Sequence, residues 1–335
     1  MSARYSLLLF CFFCVLFIPL SVHSSESAGT PKLIRVLIIP DNAVPPDKDA
    51  PLSLLGKMNG DLLVNGVRYS GHIEVWKGPK GLYVINELPL EDYVESVVAS
   101  EIGPNWDAEA VKAQAVISRT YAVFRKDSNR GLKFDLTSSV LSQVYNGDNQ
   151  RADVRDAVRD TAGEILTYNG KPIEAFYHST CGGKTEDPKE VFGKSYPYLK
   201  SVKCDDELSP YWEWERKITL GDIEKALGLK AIKDISISSR TSTGRAKELA
   251  VKSECGRTFV RATDLRKLLG WSVLPSTNFT VRINGGFATF DGKGYGHGVG
   301  LCQWGALQMA REGKTYGKIL LFFYPGTRIS HYGSR

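Results

Sequence analysis

Glu101 is the carboxylate of this sequence best placed to do chemistry. It lies in LPLEDYVESVVASEIGP, where Leu90, Val94, Val97, Val98 and Glu101 recur at three- and four-residue steps and so share one face of a helix. That face is apolar, and Glu101 falls in the last turn. Burial and the negative helix end both disfavour its ionised form. A carboxyl kept protonated near neutral pH is what a general acid requires. The plain alternative is a solvated glutamate at a frayed helix end. A second group is His178-Ser179-Thr180-Cys181 with Cys204. His178, Cys181 and Cys204 supply three ligands of a zinc site, with His297 or Cys302 as a fourth. The competing reading, favoured in an exported chain, is a Cys181–Cys204 disulfide, with Cys255–Cys302 completing the set. A Cys–His protease does not fit, because neither an oxyanion element nor a third partner accompanies the pair.

The elements that must position Glu101 are two helices with a tight joint. Pro89 suits a first helical position, with Glu91 and Asp92 in the first turn. Gly103-Pro104 ends the helix, and Asn105 or Asp107 caps the next. The second helix is apolar round most of its circumference and is therefore buried. Within it, Gln114 reads as a residue satisfying buried backbone groups. Lys112, Arg119 and Lys126, at seven-residue steps, read as a solvated basic edge. Upstream, residues 33–86 form short β-segments with an Asn65-Gly66 hairpin turn. Downstream come a helix over 152–162 and a hairpin turning at Asn169-Gly170, whose second strand leads into Gly182-Gly183. Residues 205–282 change texture, running helix, strand, strand, helix, as a self-contained α+β insertion does. A glycine-dense stretch follows, then helices over 303–312 and 316–323. Its GxGxGxG spacing is wrong for a nucleotide loop.

The expected fold is thus α+β: a β-rich N-terminal part, a buried helical pair carrying the acid, an α+β insertion, and a groove between lobes. Residues 1–24 read as a secretory signal, with Arg4, an apolar run over 5–20 and a small-residue junction at Val22-His23-Ser24. An uncleaved membrane anchor is the alternative, and either places the protein in the periplasm or cell wall. A polar lead, 25–32, precedes the core at 33–204 and 283–335. With 42% hydrophobic residues the chain can bury a full core. Its net charge of +6 is mild and diffuse, which argues against nucleic acid and suits anionic wall polymers.

LPLEDYVESVVASEI with AVKAQAVISRTYA, QVYNG, TYNGKPIEAFYHSTCGGKTE, YPYLKSVKCD, and GYGHGVGLCQWGAL with YPGT together resemble the SpoIID/LytB family of bacterial cell-wall proteins. The resemblance implies a peptidoglycan-binding fold with a long groove. Its sporulation member implies a lytic transglycosylase that cuts MurNAc–GlcNAc strands stripped of stem peptides to 1,6-anhydroMurNAc products. The acid/base of that enzyme falls on Glu101. A glycoside hydrolase needs a second carboxylate. A transglycosylase does not, because the muramyl 6-hydroxyl attacks its own anomeric carbon. Glu95 lies on another part of the helix, which leaves only distant carboxylates such as Asp135, Asp148 and Asp291. Gln143, Tyr145, His297 and Gln303 are the expected groove-lining residues. Glycines 294, 296, 298 and 300 admit a glycan closely or simply make tight turns, and Trp304 stacks on a sugar or joins the core. No cofactor is required, although some relatives carry a structural zinc near the His178 motif. LytB-type members imply the alternative, a non-catalytic glycan-binding enhancer of an N-acetylmuramoyl-L-alanine amidase.

Overall fold

Runs of Val, Ile, Leu and Tyr before position 90 build a five-stranded sheet. Its strands are β1 (Leu33–Ile38), β2 (Ser53–Val64), β3 (Val67–Gly78), β4 (Gly81–Pro89) and β5 (Leu136–Thr137), in spatial order β2-β3-β4-β1-β5. Asn65 and Gly66, at φ 50° and 82°, make the β2–β3 turn in the left-handed geometry that a two-residue hairpin requires. The computed structural model describes residues 32–39, 45–47, 50–139, 142–149 and 151–333. The expected signal over 1–24 and the lead, up to residue 31, lie outside the described residues.

Strand β4 runs directly into α1 (Leu90–Glu101). Pro89 is the N-cap residue, one position earlier than expected, and Glu91 and Asp92 occupy the first turn. Tyr93, Val94, Val97 and Val98 are fully buried. Ile102 turns extended and stops the helix two residues before Pro104. Asp107 rather than Asn105 caps α2 (Ala108–Ser128), accepting from the Glu109 N–H at 2.9 Å. Asn105 takes φ 62° in the joint. From Ala110 to Val123 every residue of α2 but Lys112 is buried, as an apolar-sided helix must be. One hydrophobic cluster joins α1 and the inner side of the sheet to α3 (Ala152–Asp160).

The second Asn-Gly turn connects β6 (Glu164–Tyr168) to β7 (Lys171–Pro172). The expected long returning strand is cut to two residues, because Pro172 has no N–H to continue a ladder. The chain pairs again at β8 (Tyr177–His178), in parallel with β15 (Leu301–Cys302). After the short α4 (Pro188–Phe192) come β9 (Trp214–Thr219), α5 (Leu220–Leu227), β10 (Asp234–Arg240), β11 (Ala246–Ser253), β12 (Gly256–Arg261), α6 (Ala262–Leu269), β13 (Phe279–Asn284) and β14 (Phe287–Gly292). Strands β10, β11 and β12 form one antiparallel sheet, and β13, β14 and β9 another. A hydrophobic cluster reaching from Trp214 to Phe290 fills the space around them. The β13–β14 hairpin crosses position 282 and contributes Phe279, Ala288 and Phe290 to that cluster. Helices α7 (Gln303–Arg311) and α8 (Tyr316–Phe323) pack on α2, and β16 (Arg328–His331) pairs with β6. The fold is α+β.

Candidate active site

Glu101 is the last residue of α1 and keeps part of its surface open to solvent. Two donors converge on its Oε1: the Val144 N–H at 3.0 Å and the Tyr177 hydroxyl at 2.9 Å. Tyr177 in turn accepts from Gln143 Nε2 at 3.3 Å, and Gln143 Oε1 accepts from the Tyr93 hydroxyl at 3.1 Å. On the other flank, Gln303 Nε2 donates to Gln114 Oε1 at 3.3 Å, and Gln114 Nε2 to Ser118 Oγ at 3.1 Å. Burial raises the Glu101 pKa above the usual 4.5, and the Val144 N–H, Tyr177 hydroxyl and Gln303 amide recover part of that shift. Among the described residues, no cation and no second carboxylate is among the groups that shift it. The distant acids are engaged elsewhere: Glu95 with Arg155, Asp135 with the Arg35 N–H, Asp148 with Ser70 and Arg68, and Asp291 with Arg282. The arrangement is a carboxyl whose pKa burial raises, oriented by amide and phenol donors. Such a group gives and retakes a proton.

Of the expected lining residues, Gln143 and Gln303 are brought to Glu101, but both are buried, so they support the carboxyl from within rather than line a groove. Tyr145 is not brought there. It is 2% exposed, donates to Asn86 Oδ1 at 2.6 Å and packs against the Tyr69 and Tyr93 rings. Its groove role is corrected to a core role, because the strand-like loop turns its ring inward onto the sheet. His297 is not among the groups bonded to Glu101 in the described residues and packs against the Phe176, Phe192 and His178 rings. Its Nδ1 accepts from the Val299 N–H at 3.0 Å, so its proton sits on Nε2. Burial and then His178 hold its pKa well below 6.5. Tyr177 was not among the expected residues. The alternation in Phe176-Tyr177-His178 was its signal, since consecutive strand residues face opposite ways.

Three other readings are resolved. Gly294, Gly296, Gly298 and Gly300 all have positive φ, and their open sides meet this chain rather than solvent. A Cβ on Gly294 would lie 2.7 Å from the Thr180 carbonyl oxygen, and one on Gly296 2.8 Å from His178 Cβ. The glycines let strand meet strand. Arg119 is no solvated edge: it is fully buried, with Nη2 at 2.6 Å from Glu91 Oε2 and Nη1 donating to the Glu164 carbonyl at 3.0 Å. Trp304 packs edge-on against Trp106 within the second core cluster.

Among the described residues no disulfide forms, and Cys181, Cys204, Cys255 and Cys302 are free thiols. The Cys181–Cys204 bond is replaced by a larger cluster. The two Sγ atoms are 2.6 Å apart, and donor atoms of Cys181, Cys204, Asp206 and Cys302 all lie within 4.8 Å of one another, every residue buried. Cys302 belongs here, while Cys255 is exposed at the β11–β12 turn. His178 Nδ1 engages the Val299 carbonyl at 3.1 Å, and its Nε2 is buried without a partner. Converging thiols beside an orphaned imidazole nitrogen are a donor set that suits zinc.

Comparison with known proteins gives two family matches. The family described as "Stage II sporulation protein" matches residues 79–168, and one described as "Domain of unknown function" matches residues 199–300. The chain is 36% identical over 263 residues to Stage II sporulation protein D of Bacillus subtilis, covering 73% of this chain and 76% of that protein. It is 35% identical over 280 residues to an uncharacterized protein of Brachyspira hyodysenteriae, covering 80% and 74%. It is also 30% identical over 290 residues to an amidase enhancer of B. subtilis, covering 71% of this chain and 40% of that protein.

Proposed function

The chain belongs to the stage II sporulation protein D family, and from that premise we propose that it acts in the bacterial cell wall as a lytic transglycosylase on peptidoglycan glycan strands, exported to the periplasm or wall. The observation that carries this reading is the lone, partly buried Glu101, with its raised pKa and its Tyr177 and Val144 donors. The protonated carboxyl gives its proton to the glycosidic oxygen as the bond to the muramyl C1 breaks. The resulting carboxylate accepts the proton of the muramyl 6-hydroxyl as that oxygen bonds to C1. No water is consumed, which is consistent with the absence of a second carboxylate among the groups that act on Glu101. Tyr177, supported by Gln143 and Tyr93, fixes the carboxyl for both transfers.

Glu101→Gln preserves shape and removes the proton. It should abolish release of 1,6-anhydromuramyl products from denuded sacculi, read by mass spectrometry, while sacculus binding persists. Products surviving in that variant would sink the assignment. A second reading draws on the amidase-enhancer relative: a glycan-binding module that stimulates an N-acetylmuramoyl-L-alanine amidase. It gains if wild-type protein yields no anhydro product yet accelerates an amidase.

We also propose that Cys181, Cys204 and Cys302, with Asp206 or His178, hold a structural zinc. Zinc would tie together three segments distant in sequence, one of them continuous with Tyr177.

A further inference from the structure

Arg245 is the last residue of the turn between β10 and β11, and its side chain ends beside the cysteine cluster. The Thr241 N–H donates to the Arg245 carbonyl at 2.8 Å, and Gly244 at φ 95° completes the bend. The side chain is 2% exposed. A guanidinium persists in such a place only where other groups answer its charge and its donors. Nη2 donates to the Cys181 carbonyl at 2.5 Å and to the Lys184 carbonyl at 3.3 Å. Gly298 leaves the space for it, since a Cβ there would lie 2.9 Å from Nη2.

The neighbouring carboxylate answers this charge only in part. Glu186 Oε2 is 3.8 Å from Nε, beyond hydrogen-bond reach. The Glu186 oxygens accept instead from the Asp187 N–H at 2.7 Å and the Thr241 hydroxyl at 2.8 Å. Arg245 Nη1 is buried with no hydrogen-bond partner among the described residues. Burial pulls the Arg245 pKa below its ordinary 12.5, and the charges of Glu186, Cys181, Cys302 and Asp206 hold it up. The last three belong to the buried metal-donor cluster. Three thiolates around a zinc ion leave an excess of negative charge, and Asp206 adds to it. Resting on the zinc reading of that cluster, we infer that Arg245 is a positioning residue for the metal: it balances the excess charge of the ligands and pins the Cys181 turn, so that the β10–β11 turn sets how tightly zinc is held.

A counter-charge and a plain brace differ in what Glu186 does. Removing Arg245 takes a positive charge away from the cluster. Removing the Glu186 charge leaves Arg245 facing the thiolates with less to oppose it. Acting through charge, the two substitutions move zinc affinity in opposite directions. Acting through packing alone, both loosen the same turn, and zinc weakens in each.

The test is a zinc titration of the purified chain in competition with a chromophoric chelator, with circular dichroism to establish that each variant is folded. Arg245→Met removes the charge and keeps much of the volume, and its zinc Kd should rise roughly ten- to a hundredfold, as for other groups that support metal ligands. Arg245→Lys keeps the charge but loses the fork that spans two carbonyls, and should fall between Met and wild type. Glu186→Gln should hold zinc at least as tightly as wild type. If Arg245→Met binds zinc as wild type does, or if Glu186→Gln weakens zinc along with it, the inference is wrong. Should Arg245→Met not fold, the other two variants decide: zinc weakened by Arg245→Lys and not by Glu186→Gln supports the role, and any other combination overturns it. Wild-type protein that takes up no zinc removes the zinc reading and this inference with it. Zinc held equally by wild type and every variant leaves that reading standing and removes only the part played by Arg245.

Discussion

Tyr177 donates its hydroxyl hydrogen to Glu101 Oε1 at 2.9 Å while accepting from Gln143 Nε2 at 3.3 Å. The phenol favours the ionised carboxylate and so works against the burial that raises the Glu101 pKa. Tyr177→Phe removes that donor, and the pKa of Glu101 rises further. Because the acid acts in its protonated form, the alkaline limb of the pH–rate profile should move to higher pH. At the same time kcat should fall by roughly tenfold or more from lost orientation. An unmoved limb would show that the phenol does not act on Glu101.

The same burial has a cost in stability. The Glu101 pKa is raised in the folded state above its ordinary 4.5, so the fold binds this proton more tightly than the unfolded chain does. Its contribution to stability is fully present below pH 4.5 and is lost as pH rises through the folded value. Glu101→Gln carries no such charge. It should therefore melt higher than wild type near neutral pH, by about 2 °C or more, with the gap closing toward pH 4. Calorimetry across that range checks it. A gap that widens on acidification contradicts the raised pKa.

Arg119 joins helix to helix. Its fully buried guanidinium makes a fork with Glu91 and reaches the Glu164 and Val158 carbonyls. Arg119→Met leaves those acceptors unpaired and should cost about 3 kcal/mol, and Arg119→Lys, which loses the planar fork, about 2 kcal/mol. Urea unfolding measures both. The pH–rate limb of whatever protein remains folded should stay where it is.

The thiol cluster makes a compositional prediction. Purified chain should carry close to one zinc by mass spectrometry of the metal. Cys302→Ser should lower that content and the melting temperature together, and chelation of wild type should reproduce the loss. Full oxidation of Cys181 and Cys204 to a disulfide, with no metal, would refute it.

Much of the scaffold was legible from local chemistry. The Asn-Gly turns and the α1 face need only near neighbours to be decided, the α2 cap was narrowed to Asn105 or Asp107, and α7 and α8 stood out as helices. What stayed hidden depends on partners far along the chain. Arg119 reads as solvated until Glu91 is folded over it, and Tyr145 reads as a ligand group until Asn86 is found at its hydroxyl. Tyr177 is one phenol among many until β8 brings it beside Glu101. The glycine run shows that tight approach is needed but not what approaches, and here that is residues 178–181 for Gly294 and Gly296, Arg245 and Glu186 for Gly298, and Phe176 for Gly300.

The pairing of β8 with β15 joins chain that is distant in sequence. His178 and Val299 meet across 121 residues of chain, and closing so long a loop carries an entropy that slows folding. Most of that loop is the segment with its own hydrophobic cluster, from Trp214 to Phe290. Once that cluster has condensed, the ends of the loop are already near one another, and the remaining search is short. If the segment between β8 and β15 condenses first, shortening it to flexible linker should slow refolding even where the final structure is unchanged.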